Sequence, residues 1–345
     1  MGMAKRNYSK RSSKIEPSVQ TLYFRTSTVL GGGISTFYVD LSQVASLVNR
    51  RFYRQGINWA VAGFKFFSNP GTLANISVSK LPNTWVLANS WEKGMRAWTK
   101  MNRMALEEAP SVRPKFLDFK VFADAKHAQQ GVASNLLPHD FQEPLPQPYA
   151  LGEWEMSKFV LPDTTSPVGG INNYEIIATG ASYPGPGASS LNSVSLIEGY
   201  AASRGLPEIL DPNTPDDARD ADGVAPENFL VALFNEGTQQ DGEVLADLID
   251  ENNIAPYPFE NDGVNLDTMY PGGANQAPGV QLHDIDSISP TTIGGQTRLK
   301  GGNFPCGLVR IDIGNSGGEP QAFAFTIDLI PGSHRGYLCE TMTEM

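Results

Sequence analysis

The sequence predicts an all-β fold, an antiparallel jelly-roll or Greek-key β-sandwich with a few short helices and long loops inserted. Glycine and proline are frequent, with 34 and 25 copies, and they separate short segments rich in Val, Ile, Phe, Tyr and Thr, as in sheets joined by turns. Several of these segments alternate apolar and polar residues, which is the period of a strand with one buried face. Strand-like segments occur near both ends of the chain.

The predicted strands are 20–30, 34–41, 57–67, 75–81, 114–124, 153–161, 173–179, 304–313 and 321–330. We expect the first two to form a hairpin or neighbouring edges, and the third and fourth to form a second strand pair. The last two are closing strands that should pair with the opening ones and complete the sandwich. A helix is predicted at 89–109, where Trp and Met recur at three- and four-residue spacing, and short helices at 190–203 and 242–253.

The chain divides into a short polar arm and one large domain. Residues 1–18 contain almost nothing apolar, so they cannot bury enough surface to offset the entropy of ordering them, and we expect a disordered arm. Residues 19–345 are expected to form a single β-rich domain, with long loop and helix insertions at roughly 181–303. Loops of that length are usually functional surfaces.

Charge is distributed unevenly along the chain. The formal net charge is −11, but residues 1–126 hold 19 Lys and Arg against 7 Asp and Glu, whereas residues 127–345 hold 7 against 30. A split of this size indicates that the two parts face different surroundings, as in a shell whose inner surface meets a polyanion or in a nucleic-acid-binding enzyme. An ordinary metabolic enzyme rarely needs such polarity.

The remaining composition excludes several classes of protein. The two cysteines, Cys306 and Cys339, could form one disulfide, but two thiols cannot supply a disulfide framework or a four-cysteine zinc site. The sequence contains no signal-peptide pattern at its start and no run of about 18 apolar residues. We therefore expect a protein that is neither secreted nor anchored in a membrane.

The arm is the first candidate binding segment. Its cations are Lys5, Arg6, Lys10, Arg11 and Lys14. Each Lys or Arg that neutralises a phosphate releases a condensed counterion, so a flexible basic segment binds a polyanion without reading its sequence. The alternative is a solvated tail with no ligand.

A second candidate follows the apolar segment 40–48. Arg50, Arg51, Tyr53 and Arg54, together with Phe52, combine phosphate-binding cations with aromatic rings that stack on bases. The alternative is a helix C-terminus whose arginines interact with the helix dipole. The basic residues of the predicted helix, Lys93, Arg96, Lys100 and Arg103, are a weaker candidate, because a charged solvent face is the more common explanation.

Catalytic and metal sites are poorly supported. Gly314–Gly318 matches the G-x-S-x-G pattern of hydrolases, but that motif needs a helix after the serine and a strand is predicted here. We therefore expect a glycine-rich hairpin turn and no enzyme activity. The acidic segments around Asp211–Asp222 and Glu260–Asp267 could bind Ca²⁺ at subunit contacts, but their spacing departs from known calcium loops, so no cofactor is expected.

Three segments carry a resemblance to a known family. YVDLSQVASLVNRRFYRQGINWAVAGFKF (38–66), SKLPNTWVLANSWEKGMRAWTKMN (79–102) and VRPKFLDFKVFAD (112–124) resemble capsid proteins of circular Rep-encoding single-stranded DNA viruses. The resemblance covers roughly residues 20–140. It implies a jelly-roll subunit that assembles with copies of itself into an icosahedral virion, with the insertions on the outer surface and at subunit contacts.

The resemblance also implies that the arm enters the shell and contacts genomic single-stranded DNA, and that it directs import into the host nucleus. The cluster Lys5–Arg6 and Lys10–Arg11 is looser than a dense arginine-rich arm. We expect no membrane partner, and the sequence does not identify the host receptor. Two alternatives remain: a coat protein of a single-stranded RNA virus with a similar fold, and a carbohydrate-binding or carbohydrate-cleaving β-sandwich using Trp154, Tyr257 and Tyr270.

Overall fold

The computed structural model describes residues 18–103, 107, 118–142, 145–162, 170–182, 185–204 and 279–342. The helices are α1 (Leu41–Asn49), α2 (Trp85–Met101), α3 (Ala125–Gln130) and α4 (Leu196–Arg204). The strands are β1 (Thr21–Arg25), β2 (Ile34–Asp40), β3 (Ile57–Phe67), β4 (Ala74–Lys80), β5 (His139–Gln142), β6 (Leu145–Pro148), β7 (Lys158–Pro162), β8 (Ile171–Ile177), β9 (Asn192–Ser195), β10 (Gln281–Ile288), β11 (Gln296–Phe304), β12 (Leu308–Asn315), β13 (Ala324–Leu329), β14 (Pro331–Gly332), β15 (Gly336–Tyr337) and β16 (Cys339–Thr341).

Two antiparallel sheets face each other and form the body of the protein. The five-stranded sheet has the order β1-β13-β3-β11, with β16 also paired to β3, and the four-stranded sheet has the order β10-β4-β12-β2. The main strands alternate between the sheets from β1 to β4 and again from β10 to β13, and β1, β2, β3 and β4 pair with β13, β12, β11 and β10 respectively. This is the jelly-roll topology, so the predicted fold class and the pairing of closing with opening strands are confirmed.

The predicted pairing of neighbouring opening strands is wrong. β1 and β2 lie in different sheets, as do β3 and β4, so residues 26–33 and 68–73 cross between the sheets. Alternation of apolar residues determines which face of a strand is buried but does not determine its neighbour. The crossing segments are tightly packed: a Cβ on Gly31 would lie 2.3 Å from the carbonyl oxygen of Gly318 in the β12–β13 connection.

The main core lies between the two sheets and is rich in aromatic residues. Phe24, Phe325 and Phe66, on three adjacent strands, stack in succession with ring centroids 5.0 Å apart at each step. Trp59, Val39, Ile76 and Ile311 are also fully buried in this core. Inward positions therefore follow the alternation expected of two half-buried sheets.

The chain between β4 and β10 is an insertion that packs on the outer face of the four-stranded sheet. Its described part contains α2, α3, α4 and the small sheet β7-β8-β9. A second core joins it to the sheet, with Tyr38 and Leu308 from the sheet contacting a cluster that includes Trp91, Phe119 and Ile197. The insertion thus begins near residue 81, whereas the predicted range 181–303 includes the main strands β10 and β11.

Two further local predictions need correction. The helix α2 begins at Trp85, because the Thr84 side chain accepts a hydrogen bond from the Leu87 N–H and caps it. The described part of the predicted strand 114–124 is buried but irregular. Side chains supply part of its hydrogen bonding, because the Val121 N–H donates to the Gln55 side chain and the Lys120 N–H to Ser157, while Phe122 forms an isolated parallel bridge with Ile177.

Candidate nucleic-acid interface

The start of the described chain is fixed beside the C-terminal end of α1. The Val19 N–H donates to the Asn49 Oδ1 at 3.0 Å, the Tyr337 hydroxyl donates to the Val19 carbonyl at 2.6 Å, and the Ser18 hydroxyl donates to the Gly336 carbonyl at 3.1 Å. The basic arm is therefore joined to the domain at this position. Its cations lie outside the described residues: Lys5, Arg6, Lys10, Arg11 and Lys14.

The second basic segment begins at the next residue of the same helix end. Arg50 ends α1 with φ 52° and ψ 38°, a left-handed conformation that turns the chain away from the helix axis. The segment then stays close to α1, because the Tyr53 N–H donates to the Ser46 hydroxyl at 2.9 Å and the Ser42 hydroxyl donates to the Arg54 carbonyl at 3.1 Å. These bonds fix the backbone from which the arginine side chains project.

Most of the predicted binding residues in this segment are accessible, and Tyr53 is the exception. Arg50 and Arg54 are exposed and Arg51 is half-buried. Tyr53 is completely buried, with its ring against Trp59 and Tyr337 and its hydroxyl donating to the Arg335 carbonyl at 2.9 Å. A buried ring has no face available for a base, so the prediction that Tyr53 stacks on nucleic acid is corrected.

Phe52 is the aromatic residue of this segment that faces outward, with 48% of its surface exposed. The Lys120 ammonium lies 5.7 Å from the centre of the Phe52 ring, and the Arg335 guanidinium donates to the Phe52 carbonyl. We call Arg50, Arg51, Phe52, Arg54, Lys120 and Arg335 the arm-base surface. Glu153 and Glu155 are exposed and flank Trp154, whose ring is 6.0 Å from that of Phe52. These two carboxylates therefore lie next to the arm-base surface.

A buried carboxylate supports the arm-base surface from below. Asp40 caps α1 by accepting the Ser42 N–H at 2.9 Å and the Gln43 N–H at 3.3 Å, and it also accepts the Gln55 side-chain amide at 3.0 Å. The Trp154 indole N–H donates to the same carboxylate at 3.1 Å. Burial raises the pKa of Asp40 to about 6, although these hydrogen bonds act in the opposite direction.

The same contacts bear on the role of Trp154 in the carbohydrate hypothesis. Trp154 is 7% exposed and its N–H is already bonded to Asp40, so its ring offers little surface on which a sugar could stack. Tyr257 and Tyr270 lie outside the described residues.

A second buried polar group fixes the insertion against the four-stranded sheet. His127 on α3 is completely buried and its ring stacks on Tyr38 with centroids 4.2 Å apart. Its Nδ1 accepts the Ala123 N–H at 3.1 Å, and its Nε2 lies 2.8 Å from the Asn135 Oδ1. Burial lowers the pKa of His127 to about 4, because protonation would charge the ring and break the Ala123 bond.

The basic residues of the predicted helix 89–109 are not part of the arm-base surface. Arg96 forms an ion pair with Glu92, Arg103 forms one with Glu107 at 2.9 Å, and Lys93 lies 4.8 Å from the centre of the Tyr200 ring. These contacts are within the insertion, as in a solvated helix face with i,i+4 pairs.

The other predicted sites also have defined positions. Ser316 lies in the crossing connection between β12 and β13, so Gly314–Gly318 is neither a hairpin turn nor followed by a helix. Cys306 and Cys339 are free thiols, and burial raises the pKa of Cys339 to about 12. Within the described ranges no cluster of three metal-binding side chains occurs. The acidic segments around Asp211–Asp222 and Glu260–Asp267 lie outside those ranges.

Comparisons with protein-family models, curated proteins and solved structures find no match to the chain. Among the described helices, none has the length and apolar character needed to cross a bilayer.

We predict that His127 makes the fold sensitive to acid. Because its folded pKa of about 4 is below its ordinary value of 6.5, its contribution to stability is present above pH 6.5 and is lost as the pH falls towards 4. His127→Gln should lower stability at pH 7, and the deficit should shrink by about 2 kcal/mol at pH 4.5.

Urea unfolding of both proteins across this pH range measures the difference. Comparison with the parent is essential, because the raised pKa of Asp40 changes stability in the opposite direction over the same range. A deficit that stays constant with pH would contradict the assignment to His127.

Proposed function

We propose that this protein is a viral capsid subunit that assembles into a closed icosahedral shell and packages single-stranded DNA through its basic arm. The observation that carries the proposal is that the described chain begins at Ser18, where its contacts are to Gly336 and Asn49, the neighbours of Arg335 and Arg50. The point where the arm is attached thus lies next to the start of the second basic segment.

The fold supports this proposal but is not sufficient for it. Jelly rolls form many viral shells and also occur in lectins and cupins, so function has to be argued from the site. The arm-base surface adds four arginines and an exposed phenylalanine at the root of a segment with five further cations, whereas its Lys120 is largely buried and ion-paired with Asp118 at 2.7 Å. That combination suits a flexible polyanion such as single-stranded nucleic acid.

Binding would depend on charge and not on base sequence. Arginine and lysine side chains neutralise phosphates and release counterions, whereas the Phe52 ring offers a stacking surface to any base. A shell protein needs this kind of contact, because it has to cover a genome of varied sequence. A flexible arm adds reach at a small cost, since it is ordered only where it binds.

Exposed apolar side chains give a second reason to expect assembly. Ile34 and Ile285 are 78% and 60% exposed and line one shallow depression of about 320 Å³ on the four-stranded sheet. Adjacent exposed apolar residues are typical of surfaces that another protein covers. In a closed assembly of identical subunits, the covering surface belongs to a neighbouring copy.

Deletion of residues 1–17 should separate assembly from packaging. We expect closed particles from the full chain and from the shortened chain, with nucleic acid present only in the former, because the domain contacts remain but the arm's cations are lost. Negative-stain electron microscopy and the 260/280 nm absorbance ratio measure both properties. Digestion of the extracted nucleic acid with DNase I or RNase A distinguishes a DNA genome from an RNA genome.

Soluble monomers without nucleic acid from both chains would contradict the proposal. The shortened chain retains Ser18, so its hydrogen bond to Gly336 remains and loss of particles cannot be attributed to removal of that contact.

Phe52 and Tyr53 provide a matched pair of neighbouring substitutions. Phe52→Ala removes an exposed ring and should weaken binding to oligo(dT) several-fold with little change in Tm, since stacking contributes about 1–3 kcal/mol per base. Tyr53→Phe removes the buried hydroxyl bond to Arg335, so it should lower stability by about 1 kcal/mol and leave oligo(dT) affinity unchanged.

Fluorescence anisotropy and thermal unfolding measure the two effects. Equal losses of affinity in both variants would mean that the two rings do not have the separate roles assigned to them.

A further inference from the structure

The outward face of the five-stranded sheet carries cations that the arm-base surface does not include. The strands β1, β3 and β11 alternate inward residues such as Phe24, Phe66 and Leu299 with outward ones. The outward cations are Arg25, Lys65, Arg298 and Lys300. Arg25, Arg298 and Lys300 are exposed and Lys65 is half-buried. We call these four residues the sheet-face cations.

Strand register places two of these cations directly opposite each other. Lys65 on β3 pairs with Arg298 on β11, and on its other side with Thr326 on β13, which in turn pairs with Tyr23 on β1. One row across the sheet therefore reads Tyr23, Thr326, Lys65, Arg298, with an aromatic ring at one end and two cations at the other. Like charges directly opposite on a sheet destabilise it unless something neutralises them.

The described carboxylates do not neutralise this pair. In the described part of the chain, none lies within ion-pair distance of Lys65 or Arg298. Asp328, in the next row, accepts a hydrogen bond from the Thr21 hydroxyl at 2.7 Å, and Asp284 accepts the Lys300 backbone N–H at 2.8 Å. Among the described residues, no carboxylate therefore offsets the repulsion expected between these two cations.

We infer that the sheet-face cations bind the phosphate backbone of the packaged nucleic acid, an inference that rests on the proposed function and extends its binding surface. Adjacent strands place the cations about 5 Å apart, and residues two positions along one strand are about 7 Å apart. A polyanion lying across the face would therefore contact several of them at once. Binding would remove the repulsion between Lys65 and Arg298, which no other described contact does.

The position of the face agrees with this role. The arm leads into β1, the edge strand of this sheet, and Arg54 lies shortly before β3. The outer face of the other sheet is largely covered by the insertion through Tyr38 and Leu308, and its Arg310 is already paired with Asp124 and Asp312. Among the described residues, the five-stranded sheet thus keeps exposed cations on its outward face, and its β1 edge is contacted by the β5–β6 hairpin through Tyr23 and His139.

The test compares Lys65→Gln/Arg298→Gln with a control that removes two exposed charges from α2, Arg96→Gln/Lys100→Gln. Binding of full-chain subunits to oligo(dT) is measured by anisotropy over a salt series at low protein concentration. The sheet-face variant should reduce the slope of log K against log salt by about 1.4, about 0.7 for each lost phosphate contact on a single strand. The α2 variant should leave the slope unchanged.

Thermal unfolding supplies an independent readout. The sheet-face variant should have an unchanged or higher Tm, because it removes a cross-strand repulsion. The inference would be overturned if the sheet-face variant had the same salt slope as the parent, or if both variants reduced that slope equally. Particle formation by the parent would in that case leave the proposed function intact. A parent chain that neither forms particles nor binds oligo(dT) would overturn both.

Discussion

The Asp40 carboxylate holds several parts of the functional region together. One oxygen caps α1, and the other accepts hydrogen bonds from Gln55, at the end of the basic segment, and from Trp154 in the insertion. β2, which ends at Asp40, is paired with β12 in the jelly roll. A completely buried carboxylate is costly unless its lone pairs are satisfied, and here four donors satisfy them. The raised pKa shows that part of this cost remains.

The contacts around Asp40 fix the backbone of the arm-base surface. The backbone of Arg50–Arg54 is held by Ser42 and Ser46, and its end by Gln55, so the cations project from a fixed turn. The aromatic cluster of Tyr53, Trp59 and Tyr337 lies directly beneath and also holds Val19. Cations that project from a fixed backbone would present a defined charged surface to a polyanion.

Strand positions could be predicted from the sequence because alternation is a local property. The predicted strand 57–67 coincides with β3, and the closing strands were correctly paired with the opening ones. The burial of Tyr53 in place of Phe52 could not be predicted, because the segment between α1 and β3 is irregular and has no period. In the sequence, Lys65 and Arg298 each occupy an ordinary outward position of a strand. They are about 230 residues apart, and only the register between β3 and β11 brings them together. The Asp40 and His127 networks depend on tertiary contacts in the same way.

The most direct test of the central claim is a cryo-electron-microscopy reconstruction of particles assembled from the full chain. The account predicts a closed shell in which Ser18, the arm-base surface and the open face of the five-stranded sheet line the lumen, with nucleic-acid density against Arg50, Arg54 and Lys65. A closed shell with these residues on its outer surface would contradict the account, as would an assembly in which they are buried between subunits away from any nucleic acid.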